Sequence, residues 1–224
     1  MRGLMAPITN QLVRVGRLTP KFQGIKVEII VHNSKSLSSP NDVYDLFTVP
    51  LWEVEIVSPV LIDPDFNKAL EVDADYEINH GHGNHLRSKY TGESIVRSFS
   101  NVSQKDRLLE IALQHPFAKR RFFHPISYYQ EHASWFSAIL KDEPGFRMAP
   151  HIDNSHIMIQ MIVNLLQDND TSTVFFNIFD QQQPVYQAPR KQNHGIVFLN
   201  TPGSIHTITS VTKKRYIWYA GVLI

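Results

Sequence analysis

The chain contains no cysteine among its 224 residues. It can therefore form no disulfide, no thiolate metal site and no cysteine nucleophile, which excludes a disulfide-stapled secreted scaffold and fits a reducing compartment. Charge of one sign is also lacking. With 22 Lys and Arg against 21 Asp and Glu, the formal net charge is +1, so there is no large basic field for a phosphate backbone and nucleic acid is not indicated as the principal partner. No apolar run approaches the roughly 20 residues of a membrane-spanning helix. The first residues, Met1-Arg2-Gly3-Leu4-Met5-Ala6-Pro7, lack the apolar stretch and small-residue cleavage site of a signal peptide. The expectation is a cytoplasmic protein with no membrane partner.

What is present suffices for a sizeable core. Hydrophobic residues make up 42% of the chain, with 13 Phe and 8 Tyr, which predicts one domain over residues 1–224. Its parts would be an N-terminal extension over 1–134, with strands and a support helix, and a core over 135–224 carrying the functional residues. Val27 to Val31 and Leu51 to Val57 read as strands, with Ser34 to Asn41 as a loop between them. A helix begins near Ser103, with Asp106 as its capping-box partner, and stops at His115-Pro116. From Trp135 onward the pattern is one of short strands: Trp135 to Leu140, Ile157 to Leu166, Thr173 to Phe179, Gly195 to Leu199, Ile205 to Val211 and Tyr216 to Leu223. Turn residues at Pro144-Gly145, Asp168-Asn169-Asp170 and Pro202-Gly203 separate them. Many short strands without intervening helices predict a mainly β fold, an antiparallel sandwich or jelly roll with flanking helices.

Within that frame the most informative residues are Pro150-His151-Ile152-Asp153-Asn154 and, much later, Ser204-Ile205-His206. On an extended backbone positions i and i+2 point the same way, so His151 and Asp153 can reach one metal; a helix would separate them. Two histidines and a carboxylate are the ligand set that holds non-haem Fe(II) on one face and leaves the other open. The same residues also admit a plain structural reading, in which His151 and Asp153 serve a turn and His206 is a hydrogen-bonded core histidine. Spacing alone leaves both open.

The span from Asp142 through Pro150-His151-Ile152-Asp153, then His206, then Arg215-Tyr216, resembles the Fe(II)/2-oxoglutarate-dependent oxygenases over roughly the C-terminal ninety residues, with prolyl-hydroxylase-like enzymes among them. That resemblance implies a cupin-like double-stranded β-helix, iron ligands at His151, Asp153 and His206, and Arg215 on the distal carboxylate of 2-oxoglutarate, with O2 as the second co-substrate. It implies a hydroxylase releasing succinate and CO2; halogenating relatives replace the carboxylate ligand, so Asp153 argues against chlorination. Arginine suits the far carboxylate because its planar fork donates two parallel hydrogen bonds. Lys213 and Lys214 are rivals for that role. Many members carry a hydroxyl residue two places after the arginine; here that place is Ile217, leaving the second carboxylate contact unassigned. Alternation along Ile157 to Leu166 puts Met158, Gln160, Ile162 and Asn164 on one face, making Gln160 and Asn164 candidates for the cofactor pocket.

Other clusters are weaker. Asn79-His80-Gly81-His82-Gly83-Asn84-His85 reads as a mobile loop, a lid over substrate, in preference to a second metal site. Lys119-Arg120-Arg121 reads as solvated surface, His156 as a loop residue, and Asn154 as a turn residue or an orienter of Asp153. Nothing in residues 1–134 names a substrate. A small molecule such as a free amino acid is the first expectation and a protein side chain the alternative. From other classes come a non-redox cupin-type module binding a metal or small ligand, and a structural β-sandwich without a metal.

Overall fold

The computed structural model describes residues 27–38, 47–78, 85–100, 102–116, 118, 122–166 and 169–224. Its strands are β1 (Glu28–Leu37), β2 (Val49–Val57), β3 (Tyr76–Ile78), β4 (Arg87–Tyr90), β5 (Ser134–Asp142), β6 (Ile157–Leu165), β7 (Thr173–Asn177), β8 (Asp180–Gln187), β9 (His194–Leu199), β10 (His206–Ile208) and β11 (Arg215–Leu223). Among the described residues, the α-helices that lie between the earlier strands are α1 (Pro64–Leu70), α2 (Glu93–Phe99), α3 (Val102–Leu113) and α4 (Ile126–His132). Among the described residues no helix is long and apolar enough to cross a membrane.

The strands form two antiparallel sheets. The larger has the order β1-β2-β9-β6-β11-β5-β4-β3 and the smaller β10-β7-β8. A mutual backbone bridge between His151 and His206 adds a fourth, one-residue member to the small sheet beside β10. From β5 onward the chain alternates between sheets: β5, then the His151 segment, β6, then β7 and β8, β9, β10 and β11. The resulting neighbours, β5-β11-β6-β9 facing His151-β10-β7-β8, make a double-stranded β-helix, the jelly roll that the strand pattern predicts.

The large sheet is covered on both sides, and this accounts for the nearly continuous apolar runs in its central strands. Ile159, Met161, Val163 and Leu165 of β6, Val197 and Leu199 of β9, and Trp218, Ala220 and Val222 of β11 pack with Phe66, Phe99, Leu108, Leu109 and Ala112 of the helices. The alternate residues Ile196 and Phe198 join Leu51, Phe175, Tyr186 and, at the margin, Ile162 in a second core beneath the small sheet. β9 and β6 approach closely at Gly195, where a Cβ would lie 2.0 Å from the Ile162 carbonyl oxygen. Helix ends are satisfied locally. The Asp63 carboxylate accepts from the Asp65 amide (2.9 Å) with Pro64 in the first turn of α1, and Lys105 of α3 donates to the Gln130 and Ala133 carbonyls at the end of α4 (2.5 and 3.1 Å).

Several expectations need correcting. Ser34 to Leu37 is not loop but the second half of β1, running antiparallel to Trp52 to Val49. Its polar side chains suit an edge strand with exposed faces, where Lys35 pairs with Glu53 at 2.6 Å; Ser38 follows the strand, and 39–41 lie outside the described residues. α3 begins at Val102, so Ser103 stands in its first turn and is not the cap. The polar stretch containing Gln181-Gln182-Gln183 belongs to β8, an edge strand that tolerates Pro184 because only one side is paired. The seven-residue helices α1, α2 and α4 are too short to show helical periodicity.

Trp218 ties the helices to the sheet. Its ring is fully buried and meets Phe99 edge to face at 4.8 Å. Its Nε1 donates to Ser137 Oγ (2.8 Å), which in turn donates to the Phe99 carbonyl (2.7 Å). Trp218→Ala is expected to destabilise the fold by about 3–5 kcal/mol through the cavity it leaves, read as a fall in the urea midpoint with little change in slope.

Candidate metal centre

His151 and His206 face each other because their backbones are paired. The His151 amide donates to the His206 carbonyl (3.0 Å) and the His206 amide to the His151 carbonyl (2.9 Å). Each ring is then fixed in the same way. His151 Nδ1 lies 2.9 Å from the Ala149 carbonyl, and His206 Nδ1 lies 2.9 Å from the Ser204 carbonyl. A carbonyl can only accept, so both Nδ1 atoms carry the proton and both Nε2 atoms present a lone pair in the neutral state.

Those lone pairs converge on Asp153. Its Oδ1 is 3.6 Å from His151 Nε2 and its Oδ2 is 3.3 Å from His206 Nε2. One ligand atom from each of the three residues lies within 4.8 Å of the others, close enough for one ion to touch all three. Ile152, between the first two, turns outward and is exposed, as the i, i+2 argument requires. Burial works to raise the Asp153 carboxyl, but hydrogen bonding with His151 and His206, the His206 charge and nearby Gln160 together hold it far below the usual carboxylate range. In return, the Asp153 partner raises the His151 imidazole despite its partial burial. With the Nδ1 protons fixed on carbonyls, release of the Nε2 protons that face Asp153 leaves two imidazole lone pairs beside a carboxylate, a donor set that fits a borderline divalent transition ion.

The local chain is held by side chains that no sequence pattern flags. Asn200 Nδ2 donates to the carbonyls of Asp153 (3.2 Å) and Asn154 (2.9 Å), and its Oδ1 accepts from Ser204 Oγ (3.0 Å). The Asn154 carboxamide accepts from the His156 amide at 3.0 Å, an Asx-turn, and His156 stays outside the cluster. Thr207 Oγ1 donates to the Met148 carbonyl.

The three residues line a narrow cleft between the sheets, together with Arg87, Thr173, Arg215, Ile217 and Tyr219 among others. Arg215 is nearly inaccessible. In register across three strands, Arg87 of β4 and Arg215 of β11 flank Asp142 of β5. Asp142 is bound bidentately by Arg87, with Nε to Oδ1 at 2.6 Å and Nη2 to Oδ2 at 2.8 Å. Arg215 Nη1 is 3.7 Å from the same carboxylate, and Arg215 Nε and Nη1 have no hydrogen-bond partner. Desolvation, and the like charge of Arg87, pull its pKa down to about 10 against the attraction of Asp142, so it remains a cation at neutral pH. Two guanidiniums thus share one carboxylate, and the cleft retains a buried positive charge with unused donors.

The remaining candidates fall in different places. Gln160 is fully buried, with Oε1 accepting from the Tyr219 hydroxyl at 3.3 Å and Nε2 unpartnered. Asn164 is committed to the Pro189 carbonyl (2.9 Å), and neither it nor Gln160 is among the residues lining the cleft, where Ile162 stands between them. Lys214 points outward to Asp73 at 3.5 Å. Ile217 lines the cleft and offers no donor; Thr173, on the facing β7, lines it with a buried hydroxyl lacking any partner. The tract from Asn79 to Asn84 and Lys119-Arg120-Arg121 lie outside the described residues.

No protein-family model and no curated protein sequence matches the chain. Among solved structures, a Pseudomonas putida prolyl-4-hydroxylase is similar at 12% identity over 82% of this chain and 95% of that one, with a TM-score of 0.44. A viral collagen prolyl hydroxylase from Paramecium Bursaria Chlorella virus-1 is similar at 13% identity over 62% and 90% of the two chains, with a TM-score of 0.35. A Trichoplax adhaerens prolyl hydroxylase, in complex with a hypoxia inducible factor oxygen degradation domain peptide fragment, is similar at 11% identity and a TM-score of 0.34. The matched stretch spans 39% of this chain and 42% of that one. The case for the chemistry rests on the residues of the cleft.

Asn200→Ala removes the hydrogen bonds to the Asp153 and Asn154 carbonyls while leaving the three candidate ligands intact. It is expected to weaken Fe(II) or Co(II) binding by about tenfold or more, measured by anaerobic titration, with the thermal midpoint changed little.

Proposed function

We propose that the chain is an Fe(II)- and 2-oxoglutarate-dependent dioxygenase that hydroxylates an unactivated C–H bond. One observation carries the reading: the cleft that holds His151, Asp153 and His206 also holds Arg215, a buried cation with unsatisfied donors. An anionic ligand answers an uncompensated buried charge, which otherwise costs several kcal/mol. A ligand with two carboxylates can meet both the metal and the arginine.

His151, Asp153 and His206 would hold Fe(II) on one side and leave coordination positions open on the other. Arg215 would receive the far carboxylate of 2-oxoglutarate, Thr173 would supply the hydroxyl contact that Ile217 cannot, and Ile162 and Ile217 would pack against the methylenes between. With Arg87 already saturated by Asp142, Arg215 has its fork free. Bound there, Fe(II) with 2-oxoglutarate and O2 supplies the oxidation, releasing succinate and CO2, while the protein excludes water and positions the substrate.

On another side of Asp153 a groove is lined by Phe122, Ile152, Ile157, Met158 and Ile224. Its apolar lining supports an aliphatic or aromatic portion of the substrate beside the metal. For the substrate class the reading is a small molecule such as a free amino acid, with a protein side chain as the alternative. Mass spectrometry seeking the gain of one oxygen separates the two, since activity on peptides alone would exclude the first.

Anaerobic titration of the Fe(II)-loaded protein with 2-oxoglutarate tests the reaction class, through the weak visible charge-transfer band of a chelated 2-oxo acid. The band is expected in the wild type. Arg215→Met should require about a hundredfold more 2-oxoglutarate, and Thr173→Val about tenfold more, as charge-assisted hydrogen bonds are lost. Because Arg215 shares its one counter-ion with Arg87 and makes no hydrogen bond through Nε or Nη1, Arg215→Met should leave the ligand-free protein at least as stable. Fe(II) binding without any band would replace the oxygenase reading with that of a non-redox metal-binding module.

A further inference from the structure

A second set of metal-binding side chains lies away from the cleft. His32 of β1, Glu55 of β2 and His194 of β9 also place one ligand atom each within 4.8 Å of one another. They sit side by side across three neighbouring strands. Glu55 and His194 are direct register partners. β1 carries an irregularity between Val31, opposite Val54, and Asn33, opposite Glu53, which leaves His32 as an extra residue without a register partner; such a bulge re-aims a side chain, and here His32 reaches Glu55.

The geometry is more specific than a crowded surface. His32 Nε2 is 2.9 Å and His194 Nε2 is 3.8 Å from the same oxygen, Glu55 Oε2. The two imidazoles are stacked nearly parallel, 7° apart with centroids at 5.8 Å. His194 Nδ1 lies 2.8 Å from the Gln192 carbonyl, which places its proton there and leaves Nε2 as a lone-pair donor, the same arrangement that fixes His151 and His206. Neighbouring Glu53 takes Lys35, Asn33 and the Tyr186 hydroxyl, whereas Glu55 has only the two histidines as ion-pair partners among the described residues. The side chains are 43, 32 and 18% exposed for His32, Glu55 and His194, so an ion has access without full desolvation of the site.

We propose that His32, Glu55 and His194 form a second metal site, for a borderline divalent cation of the zinc class, that clamps edge strand β1 to β2 and β9. Two imidazole nitrogens and one carboxylate oxygen select zinc-like ions over Ca2+ or Mg2+, which take oxygen ligands. A fourth coordination position remains for water. Since the three residues meet only in the folded sheet, binding stabilises it by linkage. The site is independent of the proposed oxygenase chemistry.

The test is a Zn(II) titration of the full chain by calorimetry, with thermal midpoints followed in parallel. The wild type should bind two equivalents. The His151→Ala/Asp153→Ala protein should keep one, and Zn(II) should still raise its midpoint. Adding Glu55→Gln, nearly isosteric and so safe for folding, or His194→Ala should remove that equivalent and the midpoint shift. The inference is overturned if the double variant binds no Zn(II), if its remaining equivalent survives both Glu55→Gln and His194→Ala, or if that equivalent vanishes in a His80→Ala/His82→Ala/His85→Ala background. Loss of the first equivalent from the wild type would instead count against the cleft as a metal centre, leaving the second site to stand on its own result.

Discussion

The pair of hydrogen bonds between the backbones of His151 and His206 is the constraint on which the cleft depends. It joins segments far apart in sequence, extends the small sheet to a fourth member, and sets the two imidazoles 4.6 Å apart before any ion is considered. Asp153 follows from it, because an extended chain leaving His151 returns the second side chain to the same face. Asn200 and Ser204 then secure that chain from the turn leading into β10. The ligands thus ride on a ladder whose closure is non-local, so the centre can form only once β10 has docked.

The second organising feature is a row of charge across three strands: Arg87 on β4, Asp142 on β5 and Arg215 on β11. A lone buried pair would close on itself and present nothing to a ligand. Adding a second guanidinium changes this. Arg87 saturates Asp142 with two short bonds, and Arg215 is held in place by proximity and packing while its donors stay free. The three groups together carry one net positive charge, which on the proposed function a bound anion would neutralise, turning part of the folded state's electrostatic cost into affinity. Arg87 comes from the part of the chain before the strands of the β-helix, so that part contributes directly to the electrostatics of the cleft.

What the sequence made legible is what depends on short-range pattern. His151 and Asp153 can be read because the i, i+2 rule is local, His206 because it follows a Pro-Gly turn into a β-like run, and Arg215 because it stands a fixed interval beyond. The strands of the β-helix announce themselves by apolar runs, which double-sided burial demands. The illegible residues are those whose partners lie across a sheet. Thr173 and Asn200 are ordinary polar residues until β7 faces the cleft and the Thr201-Pro202-Gly203 turn folds under Asp153. Gln160 and Asn164 share a strand face, and only the neighbouring segments separate them: Asn164 is claimed by the Pro189 carbonyl, while Gln160 meets Tyr219. β8 and the second half of β1 look like loop because edge strands carry polar residues.

The departure at Ile217 shows how such a site tolerates change. In β11 the residues facing the cleft are Arg215, Ile217 and Tyr219, so a hydroxyl at 217 would enter from the large sheet. Losing it removes a donor from one wall of a cleft that has two. Thr173 stands on the other wall, buried and unpartnered, and a ligand between the sheets can be reached from either. The requirement is for a donor at a place in space, and a double-sheet fold offers two strands from which to supply it. For that reason a motif written along β11 alone under-describes the pocket: on the proposed function, the unsatisfied hydroxyl on β7, a group native interiors seldom leave unpaired, would supply the contact that Ile217 does not.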